Sequence, residues 1–385
     1  TLASWLVKRR LWKRGSATSS LGCHVPKLWR NVWPALFMFI GLTWLELGVG
    51  VTTNPYATAL LALLMVILAT VSMAVFERKA FCKHVCPVGR TVGFYAQLAA
   101  MELRPRDKTT CNDCLTLECY HGTDVIEPCP TSLVMGSLSQ STFCTACGAC
   151  VQGCPHANVG WRLRSPAIEA IQHARPHWDE AWFMLGLVAL TTFHGITMMP
   201  FWETGLSRFA QLIGDSGQLL WSFSLGMLII LLLPVGLYAV AIRAMQWLLP
   251  VKTGFRQLFN RLAFATLPLA FSYHVAHNLN HLTRESRGFG QVLLNPLGRG
   301  TLPLSSHEFH MRHMNPLVSE QVLFTLQAGL MVFGFWLALR VLQQRSLEVL
   351  QGQQRLVCLL PGLVFIVVVT AVNLWLLAQP MVMRM

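Results

Sequence analysis

The chain has 385 residues, of which 54% are hydrophobic and only 12% are charged, and 13 are Trp. Soluble domains carry about 25% charged residues, so this composition excludes an ordinary soluble enzyme and describes a polytopic membrane protein with one polar insertion. The formal net charge of +13 does not imply nucleic acid as a partner, because the basic residues alternate with apolar runs instead of lining one polar face.

Residues 1–32 are basic and aromatic (Lys8, Arg9, Arg10, Lys13, Arg14, Lys27, Arg30) and suit an interfacial lead-in. No signal-peptide pattern opens the chain, and a start at Thr1 points to a native N-terminus further upstream. Apolar runs of spanning length follow at 33–51, 57–75, 182–199, 219–241, 262–281, 318–339 and 356–377, which predicts about seven transmembrane helices. With the N-terminus in the cytoplasm, 24 of the 30 Lys and Arg fall inside. The outside receives only Arg208, Arg284, Arg287, Arg299, Arg312 and Arg384, an asymmetry that orients the chain because basic residues resist translocation. The expected location is a bacterial inner (cytoplasmic) membrane, with the C-terminus outside and longer outer loops near 200–218 and 282–317. Residues 1–80 form the lead-in and first two spans, 81–178 a cytoplasmic iron–sulfur module, and 179–385 a five-helix membrane domain.

Between the second and third spans lie ten of the twelve cysteines. Thiols at such short spacing serve metals or clusters more often than packing. Cys144, Cys147, Cys150 and Cys154-Pro155 follow the bacterial ferredoxin pattern C-x2-C-x2-C-x3-C-P, in which the fourth cysteine ligates the other of two clusters. A stretched second half-motif is present in Cys111, Cys114 and Cys119, with Cys129-Pro130 downstream. The crossed assignment gives Cys111, Cys114, Cys119 and Cys154 to one [4Fe–4S] cluster, and Cys144, Cys147, Cys150 and Cys129 to the other. Four-cysteine zinc is the competing chemistry, although zinc ribbons do not use so compact a run. The fold class is therefore an all-α polytopic membrane protein with an inserted bacterial-type two-[4Fe–4S] ferredoxin-like module.

FCKHVCPVGR after a membrane span, then a short apolar helix over 91–103, then RPRDKTTC and the ferredoxin run, resembles the NapH/NosR-type membrane polyferredoxins over about residues 57–165. The resemblance implies quinone-linked electron transfer within a larger redox complex. It also implies that Cys82, Cys86 and Pro87 form the C-x3-C-P element at the membrane face. Eight cysteines already complete two cubanes, so those two thiols have an accessory metal or redox role, or simply close the turn after span two. The five helices that follow the clusters depart from the family's usual layout.

Ionisable groups inside spans are costly and mark function. Span three carries His194, and span five carries His274, His277 and His281 on one helical stripe. Counting from the starts of the apolar runs puts His194, His274 and Glu46 at one level in the outer half. A b-type haem between His194 and His274, or His277 in its place, is the first reading. A non-haem metal is the second, with a further His307, His310 and His313 triad beside Met311 and Met314 in the outer loop, a set that suits copper. Histidines without a cofactor are the third. Glu46 is a candidate for proton handling or a snorkelling helix-end carboxylate. Cys358 reads as a small apolar residue, and Cys23 as a lone thiol.

The function these features predict is electron transfer between a quinone or an outer-face redox centre and the cytoplasmic clusters, as a subunit embedded in lipid beside other redox subunits. A copper-handling maturation factor and a membrane metal-dependent oxidase or hydroxylase are the alternatives.

Overall fold

The computed structural model describes residues 21–76, 78–249, 253–302, 305, 317–347 and 355–380. Its principal elements are α1 (Trp33–Leu47), α2 (Pro55–Val75), α3 (Ala80–His84), α4 (Pro87–Tyr95), β1 (Met101–Pro105), β2 (Val159–Leu163) and α5 (Trp178–Thr197). After these come α6 (Pro200–Ile213), α7 (Leu220–Leu248), α8 (Phe255–Leu262), α9 (Thr266–Glu285), α10 (Glu320–Leu347) and α11 (Arg355–Ala378). Short helical turns carry several cysteines between β1 and β2.

Every apolar run contains a helix. Four helices, α2, α7, α10 and α11, are long and apolar enough to cross a bilayer, and the α5–α6 pair makes a fifth if its two halves are one broken span. The two remaining apolar runs fall short for different reasons. At 15 residues, α1 is about 22 Å long against a hydrocarbon core of about 30 Å. In α9 the polar stretch from His274 to His281 lowers the hydropathy.

Helix starts follow local chemistry. Asn54 caps α2 by accepting from the Tyr56 and Ala57 amides at 3.0 and 3.2 Å, and Pro55 occupies the first turn. Cys86 does the same for α4, its Sγ accepting from the Gly89 amide at 3.5 Å with Pro87 behind it. That cap starts the helix before the expected 91–103 segment. It ends by Tyr95, and Met101–Leu103 belong to β1, whose Glu102 finds Arg162 across the strand pair.

The expected outer loop at 200–218 is instead mostly helix α6, bent by 93° from α5. Pro200 forces the turn: it starts α6 and holds Met199 extended at φ −83° and ψ 144°.

At the heart of the bundle α5 packs against α1, α7 and α9, burying Ala181, Phe183, Met184 and Leu187 completely. Lipid tails are as apolar as these side chains, so close packing, not water exclusion, selects this arrangement. No side chain of α2 is buried, which places that helix at the edge of the bundle.

Candidate functional site

The ends of the cysteine-rich segment are clamped by β1 and β2, antiparallel with Met101 opposite Leu163 and Pro105 opposite Val159. Behind this pair lies a buried ionic network. Glu102 receives Arg162 at 2.6 Å and Arg164 at 2.8 Å, and Glu169 binds both Arg104 and Arg164. Glu169 also accepts from the backbone amide and the hydroxyl of Ser141, each at 2.7 Å. Burial raises the Glu102 carboxyl, but the hydrogen bond from Arg162 and the charges of Arg104 and Arg164 outweigh it and hold the group below its ordinary value. The sequence carried a signal for this network, in the period-two Glu102/Arg104 and Arg162/Arg164 pairs flanking the cysteines.

Inside the clamp, Cys111, Cys114, Cys119 and Cys154 line one recess with Met135, Gly136 and Asn158. Short helical turns and left-handed residues set the cysteine positions. Asp107 caps the turn bearing Cys111, and Leu117 at φ 48° precedes the one bearing Cys119. Ala146 at φ 50° and Gly148 at φ 79° wrap the chain through Cys144, Cys147 and Cys150.

Cys144 and Cys150 lie within electrostatic reach of Cys129, both lie within reach of Cys147 and of one another, and Cys119 lies within reach of Cys150. The two groups are therefore neighbours, and Cys119, Cys150 and Cys154 pack on the same small core of Leu103, Met135 and Val159.

The donor chemistry fits iron–sulfur clusters. Backbone and side-chain N–H groups already point at the sulfurs: Asn158 Nδ2 donates to Cys111 Sγ at 3.3 Å, the Asn158 amide to Cys154 Sγ at 3.4 Å, and the Leu133 amide to Cys129 Sγ at 3.3 Å. Such bonds tune cluster potentials. Burial pushes the free Cys111, Cys119 and Cys144 thiols up, and Cys150 up to about 12, so these sulfurs ionise readily only beside a cation. Cys114 is held low by the Leu117 amide and the Thr116 hydroxyl.

Cys82 and Cys86 form a separate pair. Their segment is latched to the stretch around Cys129, with the Lys79 amide donating to the Pro130 carbonyl at 2.8 Å, and Arg78 and Lys83 to the Cys129 and Thr131 carbonyls, each at 3.1 Å. Cys86 also serves as the cap of α4. Cys23 is exposed and Cys358 buried.

From this segment α4 reaches into the bundle. Phe94 stacks on Phe183 with centroids 5.0 Å apart, and Gly93 approaches so closely that a Cβ would fall on the Thr142 carbonyl. Arg90 is 1% exposed, donates to Thr142 O at 3.1 Å and lies over Phe143. Burial lowers its pKa to about 10 against the opposing pull of Glu180 and Asp179. On the other side Arg345 of α10 donates to the Ala170 and Glu169 carbonyls at 2.7 and 3.2 Å. Sequence reasoning missed these tertiary ties, which no local spacing announces.

The bundle histidines separate into two sets. His194, His277 and His281 converge, whereas His274 turns to Tyr95 of α4. The structure thus does not bring His274 to His194. The physical reason is axial register: His194, near the end of α5, meets His277 and His281, which lie about one and two turns beyond His274 along α9. Glu46 lies within electrostatic reach of His281. His307, His310 and His313 lie outside the described residues.

Fold and site together define a multi-pass membrane protein with a cysteine-rich iron–sulfur binding region. A 4Fe–4S binding domain matches residues 58–101, which run from α2 through the Cys82–Cys86 element to the start of β1. The chain is also 28% identical over 118 residues to YccM of Escherichia coli (strain K12), a protein named for a candidate role in electron transport. That match covers 30% of this chain and 30% of the length of YccM. Both comparisons point to a likeness with membrane 4Fe–4S electron-transfer proteins. No solved structure matches the chain.

Proposed function

We propose that the chain is a multi-pass electron-transfer subunit of a bacterial inner-membrane redox complex, with the cysteine module on the cytoplasmic side. The observation that carries this reading is the gathering of eight cysteines into two adjacent sets of four beside the helix that enters the bundle. Cys111, Cys114, Cys119 and Cys154 would hold one [4Fe–4S] cluster, and Cys129, Cys144, Cys147 and Cys150 the other. The clusters, when bound, supply one-electron redox chemistry.

The protein's own residues do the rest. The Glu102–Arg104–Arg162–Arg164–Glu169 network holds the two ends of the module together. Asn158 and the Leu133 amide set the environment of the sulfurs. Phe94 and Tyr95 seat the module on the bundle, and a lipid-soluble quinone or a neighbouring subunit would be its partner.

Iron and acid-labile sulfide analysis of protein purified without oxygen, with electron paramagnetic resonance of the dithionite-reduced form, tests this. Two reversible [4Fe–4S] signals per chain are expected. Four zinc-bound thiols with no labile sulfide would remove the proposal.

A further inference from the structure

Toward the C-terminal end of α5, His194 meets His277 and His281 of α9. One ring nitrogen from each lies within 4.8 Å of the others. His277 and His281 stand four residues apart on one helix, so both imidazoles project to the same face. Their Nε2 atoms are 3.3 Å apart. Nitrogens about 2.0–2.1 Å from a tetrahedral ion stand about 3.3 Å from one another, so the same spacing serves two ligands of one metal.

The ring geometry argues for a bare ion over a haem. His194 and His277 touch with centroids 5.0 Å apart and planes crossed at 86°, and His281 closes the group at 5.1 Å from His277 and 6.5 Å from His194. Axial haem ligands face each other across a planar macrocycle, and rings already in mutual contact leave no slot for one.

The surroundings suit a bound cation. His277 is 4% exposed and Tyr273 is fully buried, yet the His277 Nδ1 and the Tyr273 hydroxyl have no hydrogen-bond partner among the described residues. Buried polar atoms are rarely left so without a ligand or water nearby. Met198, Met199 and Met331 pack with Tyr273 and Ala276 on the adjoining turns, and Glu46 supplies a carboxylate within electrostatic reach of His281.

We propose that His194, His277 and His281 bind a single first-row transition-metal ion. Three neutral imidazoles suit copper, zinc, nickel or iron, and copper(II) heads the affinity order for such a set. The proposal stands on its own geometry and goes beyond the electron-transfer reading.

The test uses Cu2+ as the probe. Full-length protein in detergent, stripped with chelator, is titrated with Cu2+ and followed by electron paramagnetic resonance and metal analysis. One Cu2+ per chain with hyperfine splitting from ring nitrogens is expected. His277→Ala and the helix-preserving His281→Gln should each weaken binding by at least roughly 10- to 100-fold, the cost of losing even an outer-shell partner of a metal ligand. His274→Ala should leave binding unchanged. Undiminished nitrogen-bound Cu2+ in both triad variants, or a stoichiometric b-type haem lost in His194→Ala, would overturn the proposal. Iron and sulfide content, read in the same samples, reports the cysteine clusters separately. Their absence with Cu2+ binding intact would sink only the electron-transfer reading.

Discussion

The Tyr95 hydroxyl lies 3.2 Å from Nδ1 of His274, joining the helix that follows the C-x3-C-P element to the histidine stripe of α9. Tyr95 also meets Phe271 edge-on with centroids 5.0 Å apart. One residue thus gives the module both an apolar and a polar hold on the bundle. Replacing Tyr95 by Phe keeps the ring and removes the hydroxyl. The expected loss is about 0.5–1.5 kcal/mol, the net worth of one hydrogen bond. It should appear as a lower thermal midpoint in detergent with iron content unchanged, and an equal midpoint would show that the hydroxyl contributes nothing.

The crossed ligand sets give a second expectation. Cys154 belongs by sequence to the run that contains Cys144, Cys147 and Cys150, but the structure places it in the recess with Cys111, Cys114 and Cys119. Cys154→Ser and Cys129→Ser should therefore damage different clusters. Electron paramagnetic resonance of the two reduced variants should show complementary signals, each retaining the one the other lacks. Loss of the same signal in both variants would refute the split.

These two cases differ in how far the sequence could be read. Cys144, Cys147 and Cys150 lie within one short loop, so spacing alone reports their grouping, while the ferredoxin pattern assigns Cys154 across to the other set. The apolar runs likewise announce helices, because 3.6-residue geometry is local. What the runs could not give is axial register between helices. Counting from the first apolar residue matches His194 to His274, whereas α5 begins at Trp178 in a polar, acidic first turn, where Asp179 and Glu180 favour the helix N-terminus. Pro200 likewise marks a break in the chain, but the polar composition of 200–218 reads as a loop where the structure has α6. The pairing of β1 with β2 depends on contacts between segments nearly sixty residues apart, and only the alternating charges hinted at it.

Those charges support a third prediction. Arg104 and Glu169 are 5% and 1% exposed, and Arg104 also lies 3.3 Å from Glu102. Arg164 still reaches both Glu102 and Glu169 without Arg104, so the expected cost is that of a lost hydrogen bond to a charged group, about 1.5–3 kcal/mol, below the cost of a lone buried charge. Arg104→Met should accordingly lower the denaturant midpoint and speed iron loss to a chelator from the module, while helix content by circular dichroism stays unchanged. Wild-type rates of iron release would show that the clamp does not hold the clusters. Arg162→Met, at a position whose side chain is 57% exposed, should have a much smaller effect, about 0–1 kcal/mol.

The last prediction concerns the close approach of α5 and α9 beside the three histidines. A Cβ on Gly195 would fall on the Tyr273 hydroxyl, and Tyr273 has no free space because it is fully buried against Met198, Met331 and Leu376. Gly195→Ala must push the helices apart, at a cost of about 1–3 kcal/mol for an overpacked core. Because His194 is the neighbouring residue and His277 lies one turn beyond Tyr273, the same displacement should open the histidine cluster and weaken Cu2+ binding. Tyr273→Phe removes the atom that the new methyl would meet, together with a buried hydroxyl that has no partner among the described residues, so alone it should be neutral or slightly stabilising. Combined with Gly195→Ala it should recover part of the lost stability and binding. Measuring thermal midpoint and Cu2+ affinity for the two single variants and the double variant gives the coupling between the positions. Strictly additive effects would mean that the Gly195–Tyr273 contact does not set the distance between the two helices.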